Sequence, residues 1–338
     1  MSSLSDASLI VALNNASIQL NRYFGIFIFL FGIVGNTLNA CVLSQGALRS
    51  NPCAWLFFAS SIANGIGILA GLTSRPLSTW SADLTNTNRF LCKLRAFLLF
   101  NAMTIGSWLI LLATVDRWLS SHTNANRRKT STLKNAQLGT ILILIVSTII
   151  EAQQFYCFEA NLTNTPLKCY TQTQLCGIVS DLFFALITIL VPLILMIIFG
   201  FLTVSNVRKS RFRLHPTTRT MDIRLGQITT KNNTGNTTRR KKIDRPFMIM
   251  LFAQVFLIFL LTFPMAIGKL YTTVTRSMLK SQLQITIESF IFNLFLLFVY
   301  MSCGMPFYIY TLSGGSVFRK ALFSFLKTLG RKMMCRRG

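Results

Sequence analysis

Long uncharged stretches alternate with short polar ones along the whole chain. Runs without a single Asp, Glu, Lys or Arg cover 23–48, 50–74, 96–115, 182–207, 247–268 and 289–318, and a shorter one covers 135–150. Twenty helical residues, at about 1.5 Å each, cross the roughly 30 Å hydrocarbon core of a bilayer. A charge at mid-bilayer costs about 2.5–3.5 kcal/mol, so runs this long without one predict spanning helices. With interfacial residues included, seven spans are expected at about 23–48, 50–74, 94–117, 135–155, 180–207, 246–268 and 284–312. The fourth is the shortest; Lys134 and Glu151 bound its apolar run, and it borrows Gln153 and Tyr156 at the interface. Residues 1–22 precede the bundle, and the apolar stretch Leu9 to Leu13 is too short for a cleavable signal peptide. In 316–338, Val317, Phe318, Ala321, Leu322 and Phe325 recur at helical spacing with Arg319, Lys320 and Lys327 between them, which suits a helix lying on a membrane surface. The expected fold class is an all-α membrane protein: a seven-transmembrane helix bundle with a short amphipathic C-terminal surface helix.

Composition agrees. Of the 338 residues, 52% are hydrophobic and only 13% charged, too few charges to cover a water-soluble surface of this size. The net charge of +25 would suit nucleic acid if it formed one patch, but its distribution points to lipid. Of the 34 lysines and arginines, 25 fall at Arg49, in Arg117–Lys134, in Arg208–Arg245 and in Arg319–Arg337, all on one side of a seven-span topology. The positive-inside rule then places the N-terminus outside and the C-terminus in the cytoplasm of a multi-pass plasma-membrane protein, with the basic segments against anionic lipid and no nucleic acid as partner. The loop 208–245 is polar and without apolar period, as a flexible connection is. Cys92, Cys157, Cys169 and Cys176 fall on the outer side, where disulfides persist. So do the glycosylation triplets at Asn15 and Asn161, whereas those at Asn232 and Asn236 fall inside and are read as unused. Cys335 in the tail is a candidate for palmitoylation.

The landmarks along these spans resemble those of the rhodopsin-like G-protein-coupled receptors, from about Phe24 to Leu326. Gly35-Asn36 is similar to the first-helix signature, and Asn64 stands at the second-helix aspartate position. Cys92 lies 25 residues before Arg117, and Asp116-Arg117-Trp118 resembles the Asp-Arg-Tyr triplet. Pro192 and Pro264 match the fifth- and sixth-helix prolines, and "PFYIY" at 306–310 stands where the family has Asn-Pro-x-x-Tyr. Several positions depart from the pattern: Trp118 for tyrosine, Thr262 for the sixth-helix tryptophan, Pro306-Phe307 for Asn-Pro, and an uncharged Asn64 where a sodium site would need a carboxylate. The combination is similar to invertebrate neuropeptide receptors of the FMRFamide type.

The resemblance implies a receptor that binds an extracellular peptide and activates a heterotrimeric G protein. Arg117 is the implied switch residue, with Asp116 beside it, Asp244 twenty residues before Pro264 as its resting partner, and Pro264 as the hinge. Read without the family, Arg117 is an arginine snorkelling to headgroups. Tyr310 either stacks on the opened sixth helix or belongs to an interfacial aromatic belt. Cys92 is expected to pair with Cys169, Cys176 is a rival partner, and Cys157 with Cys176 would make a second bridge. Leu99, eighteen residues before Arg117, stands where amine receptors carry an aspartate, so a monoamine would find no counter-ion; Tyr300 near the retinal-lysine position excludes light sensing. Asp181, Glu159 and Glu288 are outer acids that could meet a basic peptide, or plain solvated charges.

No cofactor or metal is expected, and His122 and His215, both in inner loops, make no paired site for catalysis. A transporter or channel is the rival class, but such proteins place ionisable groups at mid-membrane and show internal repeats. A receptor-shaped binder that does not signal is the other alternative.

Overall fold

A computed structural model of the chain describes residues 2–79, 83–162, 168–214, 234–276, 278–313 and 315–334. Among these, seven helices are long and apolar enough to cross a membrane: α1 (Ser5–Leu43), α2 (Pro52–Leu72), α3 (Arg89–Ser121), α4 (Leu133–Cys157), α5 (Gln174–Lys209), α6 (Met248–Val274) and α7 (Gln282–Gly304). Two helices follow, α8 (Pro306–Ser313) and α9 (Gly315–Met334). An antiparallel hairpin of β1 (Phe158–Glu159) and β2 (Tyr170–Thr171) lies between α4 and α5. The all-α seven-helix bundle with a C-terminal amphipathic helix is therefore what the chain forms.

Short polar residues set the helix starts. The side chains of Asn51, Asn88, Thr132, Thr173 and Ser281 each accept from backbone N–H groups in the first turn of α2, α3, α4, α5 and α7. Pro52 opens α2, and Pro306 opens α8 just after α7 stops at Gly304. Residues 2–19, ahead of the expected first span, are themselves helical and run through a π turn at Leu20–Phe24 into Gly25–Leu43. α1 meets α7 closely: a Cβ on Gly304 would come 3.0 Å from the Gly32 Cα, so a larger residue there would push the two backbones apart.

Burial is inverted relative to a soluble bundle. On α4 the large apolar residues Leu138, Ile141, Leu142, Ile145 and Ile149 form an exposed stripe, whereas Ala136, Thr140, Ser147 and Glu151 are buried. Lipid takes the apolar stripe, and small or hydrogen-bonding residues face the neighbouring helices. Thr140 accepts from the Trp55 indole at 3.3 Å, and Glu151 accepts from Thr104 at 2.9 Å and from Gln154 at 3.1 Å. Glu151, expected to mark the end of the fourth apolar run, is thus an interior residue.

Two other helices continue past charges for the same reason. α6 runs through Lys269, and α3 contains Lys93 and Arg95. Their polar ends find partners within the protein, so the charge does not stop the helix.

α5 carries a π-helical segment, Phe184–Leu190, that ends one residue before Val191-Pro192. Val191 N–H reaches five residues back to the Leu186 carbonyl. Pro192 has no N–H to give the next carbonyl in that pattern, Ile187, and the Trp108 indole of α3 donates to it instead at 2.9 Å. A proline in α5 thereby becomes a docking point for α3. The other expected bend, Pro264, lies inside continuous helix within Thr234–Val274.

Candidate functional site

One end of the bundle bears the disulfides. Cys92, in the first turn of α3, is bonded to Cys169 beside β2, and Cys157, closing α4, to Cys176, opening α5. Pairing Cys92 with Cys176 is thus not the arrangement formed. The bridges hold the hairpin across this end, over a recess enclosing about 860 Å³ with its mouth included. Its walls include Leu99, Phe100, Phe184, Met265 and Phe292, with Tyr300 behind them. Leu99 presents an apolar surface where an amine ligand would need a carboxylate.

Four charged side chains line the recess: Arg75, Arg95, Lys269 and Asp181. Lys269 of α6 donates to Asp181 of α5 at 2.6 Å, each side chain 12% exposed, and lies 4.7 Å from the Phe292 ring centre. Arg95 donates to the Ala70 carbonyl at 3.3 Å and the Thr85 hydroxyl at 3.2 Å. Arg75 donates to the side-chain oxygens of Asn21 at 2.6 Å and Asn293 at 2.9 Å. Burial lowers the Arg75 guanidinium below its ordinary value, Tyr300 opposes that and Arg95 adds to it. An arginine so shifted remains a cation.

The three acids considered as meeting a basic ligand are differently placed. Only Asp181 lines the recess, and it is held by Lys269. Glu159 is bound by Arg89 at 2.7 Å and Lys93 at 3.5 Å. Burial pushes its carboxyl up, but the Ala160 N–H, Lys93 and Arg89 outweigh that and hold it below its ordinary value. Glu288 accepts from Lys280 at 2.6 Å, Tyr271 at 3.0 Å and Gln284 at 3.1 Å. Each of the three carboxylates is thus paired within the protein. Asn15 is exposed on the N-terminal helix. Asn161 adopts a left-handed backbone (φ 57°), a conformation asparagine tolerates, and donates to the Thr87 carbonyl at 3.0 Å.

Deeper in the bundle a second, smaller cavity is bordered by Asn64, Gly106, Gln254, Thr262 and Ser302. A Cβ at Gly106 would come 2.6 Å from Asn64 Oδ1, so α3 approaches α2 there without a side chain between them. Asn36 of α1 donates to the Cys303 carbonyl of α7 at 3.0 Å and to Gly32 within its own helix at 2.9 Å.

At the opposite end Arg117 donates to Asp116 at 2.8 Å, the two side chains 3% and 8% exposed. Ser131 holds the second carboxylate oxygen of Asp116 at 2.6 Å. An arginine this buried is not one that merely snorkels. The side chain of Asp244 lies outside the described residues, as do Cys335, His215 and the triplet at Asn232. Tyr310 is 1% exposed, so it belongs to no interfacial belt. It stacks on Phe57 of α2 at 4.7 Å, meets Phe318 of α9, and donates to Gln254 of α6. The apolar stripe of α9 thus reaches into the bundle through Phe318, and Gln45 ties it to α1 by donating to the Ala321 carbonyl at 3.1 Å.

Sequence reasoning passed over Arg75, Arg95, Lys269, Gln254 and Trp108. The signal for Arg95 and Lys269 was there: Arg95 lies one helical turn from Cys92, and Lys269 five residues beyond Pro264, both too far inside helical pattern for surface charges.

Residues 67–310 match the 7 transmembrane receptor (rhodopsin family) profile, well over half of the chain. The chain belongs to the rhodopsin family of seven-transmembrane receptors, whose members are typically signalling receptors rather than enzymes and work with a ligand and a G protein. No match among curated proteins is found.

Proposed function

We propose that this receptor stands in the plasma membrane with its disulfide end outside, takes a peptide ligand in the recess beneath the hairpin, and activates a heterotrimeric G protein at its basic end. The observation that carries the reading is the course of α6. It contributes Lys269 to the recess and Gln254 to the clasp on Tyr310, with Pro264 between them. A ligand that moves Lys269 can therefore rotate the same helix that Gln254 fastens at the other end, and Pro264 supplies the bend. Opening that clasp gives a G protein access to Arg117. Asp244, near the start of the helix that becomes α6, is the further resting partner we assign to Arg117; basal signalling unchanged in Asp244→Ala would sink that pairing. Basic segments on the cytoplasmic side, and glycans at Asn15 and Asn161 on the outer side, belong to the same topology.

The test is G-protein activation in cells expressing the full chain and challenged with a peptide library, with surface expression measured and Arg117→Ala alongside. A response abolished by Arg117→Ala supports the reading. A response that survives it removes Arg117 from the switch. Tags at the two termini, probed by antibody before and after permeabilisation, decide the orientation.

A further inference from the structure

We propose that the recess selects its ligand by negative charge, taking a carboxylate carried on an apolar body; this rests on the reading of the recess as the ligand site. Its lining sets three cations, Arg75, Arg95 and Lys269, against the single carboxylate of Asp181. No other acid of this end stands in the lining: Glu159 and Glu288 are held by Arg89, Lys93 and Lys280, Glu151 accepts from Thr104 and Gln154, and Asp83 accepts from Thr85.

Neutral oxygens of Ala70, Thr85, Asn21 and Asn293 are among the groups that orient the two guanidiniums, and the Thr85 hydroxyl in turn donates to Asp83, which stands one hydroxyl away from Arg95. Arginine cannot shed its proton to escape a partly desolvated site, so the excess positive charge persists until an anion arrives. Low-dielectric walls strengthen its pull on that anion. Arg276, which lies against Gly177 of the lining and donates to the Gln174 carbonyl at 3.0 Å, adds a further cation near the mouth.

The rest of the lining is apolar and aromatic, so a small inorganic anion would leave it wet and unfilled. The ligand that satisfies both halves is amphiphilic: a carboxylate at one end, and aromatic or aliphatic bulk against Leu99, Phe100, Phe184 and Phe292. Two sources carry this chemistry, the free C-terminus of a hydrophobic peptide and a long-chain carboxylic acid. An amidated C-terminus lacks the charge, and an amine ligand would be repelled.

The experiment uses the purified full-length chain in lipid nanodiscs and two matched probe pairs. One is an N-acetylated Phe-Leu-Phe peptide as free acid and as amide; the other is dodecanoic acid and its primary amide. Affinity is read by microscale thermophoresis. The acid is expected to bind roughly tenfold or more tightly than its amide in at least one pair, and the pair that shows it identifies the source. Arg95→Gln and Arg75→Gln should each weaken the acid by roughly tenfold and leave the amide unchanged, while Arg95→Lys, which keeps the charge, retains the acid preference. Equal binding of acid and amide overturns the charge assignment and leaves the recess as the ligand site. Binding of neither pair to the folded chain overturns the charge assignment together with the ligand-site reading beneath it.

Discussion

Two buried ion pairs, one toward each end of the bundle, look alike in geometry and differ in what they hold. Asp116 and Arg117 are adjacent in α3 and meet at 2.8 Å; Asp181 and Lys269 are 88 residues apart, on α5 and α6, and meet at 2.6 Å. The first pair joins two residues of one helix, with Ser131, beyond the end of α3, holding the second Asp116 oxygen. The second exists only in the assembled bundle. In a membrane the reference state is a set of inserted helices, so a contact within one helix contributes little to assembly, and one between helices contributes its full net worth. The resemblance drew attention to the local pair, but the long-range pair and the Tyr310–Gln254 bond are the contacts that fasten α6 on either side of Pro264.

The largest effect is expected from Asp181→Asn. It leaves Lys269 uncompensated at the α5–α6 contact and should cost about 2–4 kcal/mol of bundle stability, read as a fall of several degrees in the melting midpoint of the purified receptor. Lys269→Met on that background should recover part of the loss. Next comes Tyr310→Phe, which removes one buried hydrogen bond to α6 worth about 1 kcal/mol and should raise ligand-independent G-protein activation about fivefold. Unchanged basal activity would mean that the Gln254 contact is not a clasp on α6.

Asp116→Asn is expected to move the melting midpoint less, by the equivalent of about 1 kcal/mol or below, because the pair joins residues of one helix and fastens no second span. If Asp116→Asn and Asp181→Asn destabilise equally, the contrast between local and long-range pairs is wrong.

The smallest effect concerns pH. The Glu159 carboxyl is held below its ordinary value of 4.5, so the folded hairpin binds that proton less readily than the unfolded chain does. Its contribution is full above the ordinary value and is lost as pH falls through the depressed one. Hydrogen exchange of the β1–β2 amides should therefore stay constant from neutral pH down to that ordinary value and quicken only below it, after correction for intrinsic exchange. Loosening nearer neutrality would show that Arg89 and Lys93 do not govern the hairpin.

Much of the fold was legible. Uncharged length located the seven spans, and the polar caps Asn51, Asn88, Thr132, Thr173 and Ser281 stand at helix starts. Charge was a poorer guide to where helices stop. Glu151, Lys269 and Arg95 read as boundaries or outer charge because the cost of a charge in lipid was counted without a partner. Each lies in a helix and finds its partner on another segment: Thr104 for Glu151, Asp181 for Lys269, and the Ala70 carbonyl and Thr85 hydroxyl for Arg95.

By itself the sequence determined that this chain crosses a bilayer seven times and carries the landmarks of a receptor family, because transfer from water to hydrocarbon acts residue by residue and leaves a linear record. It also set Asp116 beside Arg117 within a single helix. Only the tertiary structure decided that the recess is cationic and that Trp108 completes the π segment before Pro192. It alone joined Tyr310 to Gln254 across helices. Those outcomes depend on which faces of separate helices come to lie within hydrogen-bonding distance, about 3 Å, and that is set by packing among all seven.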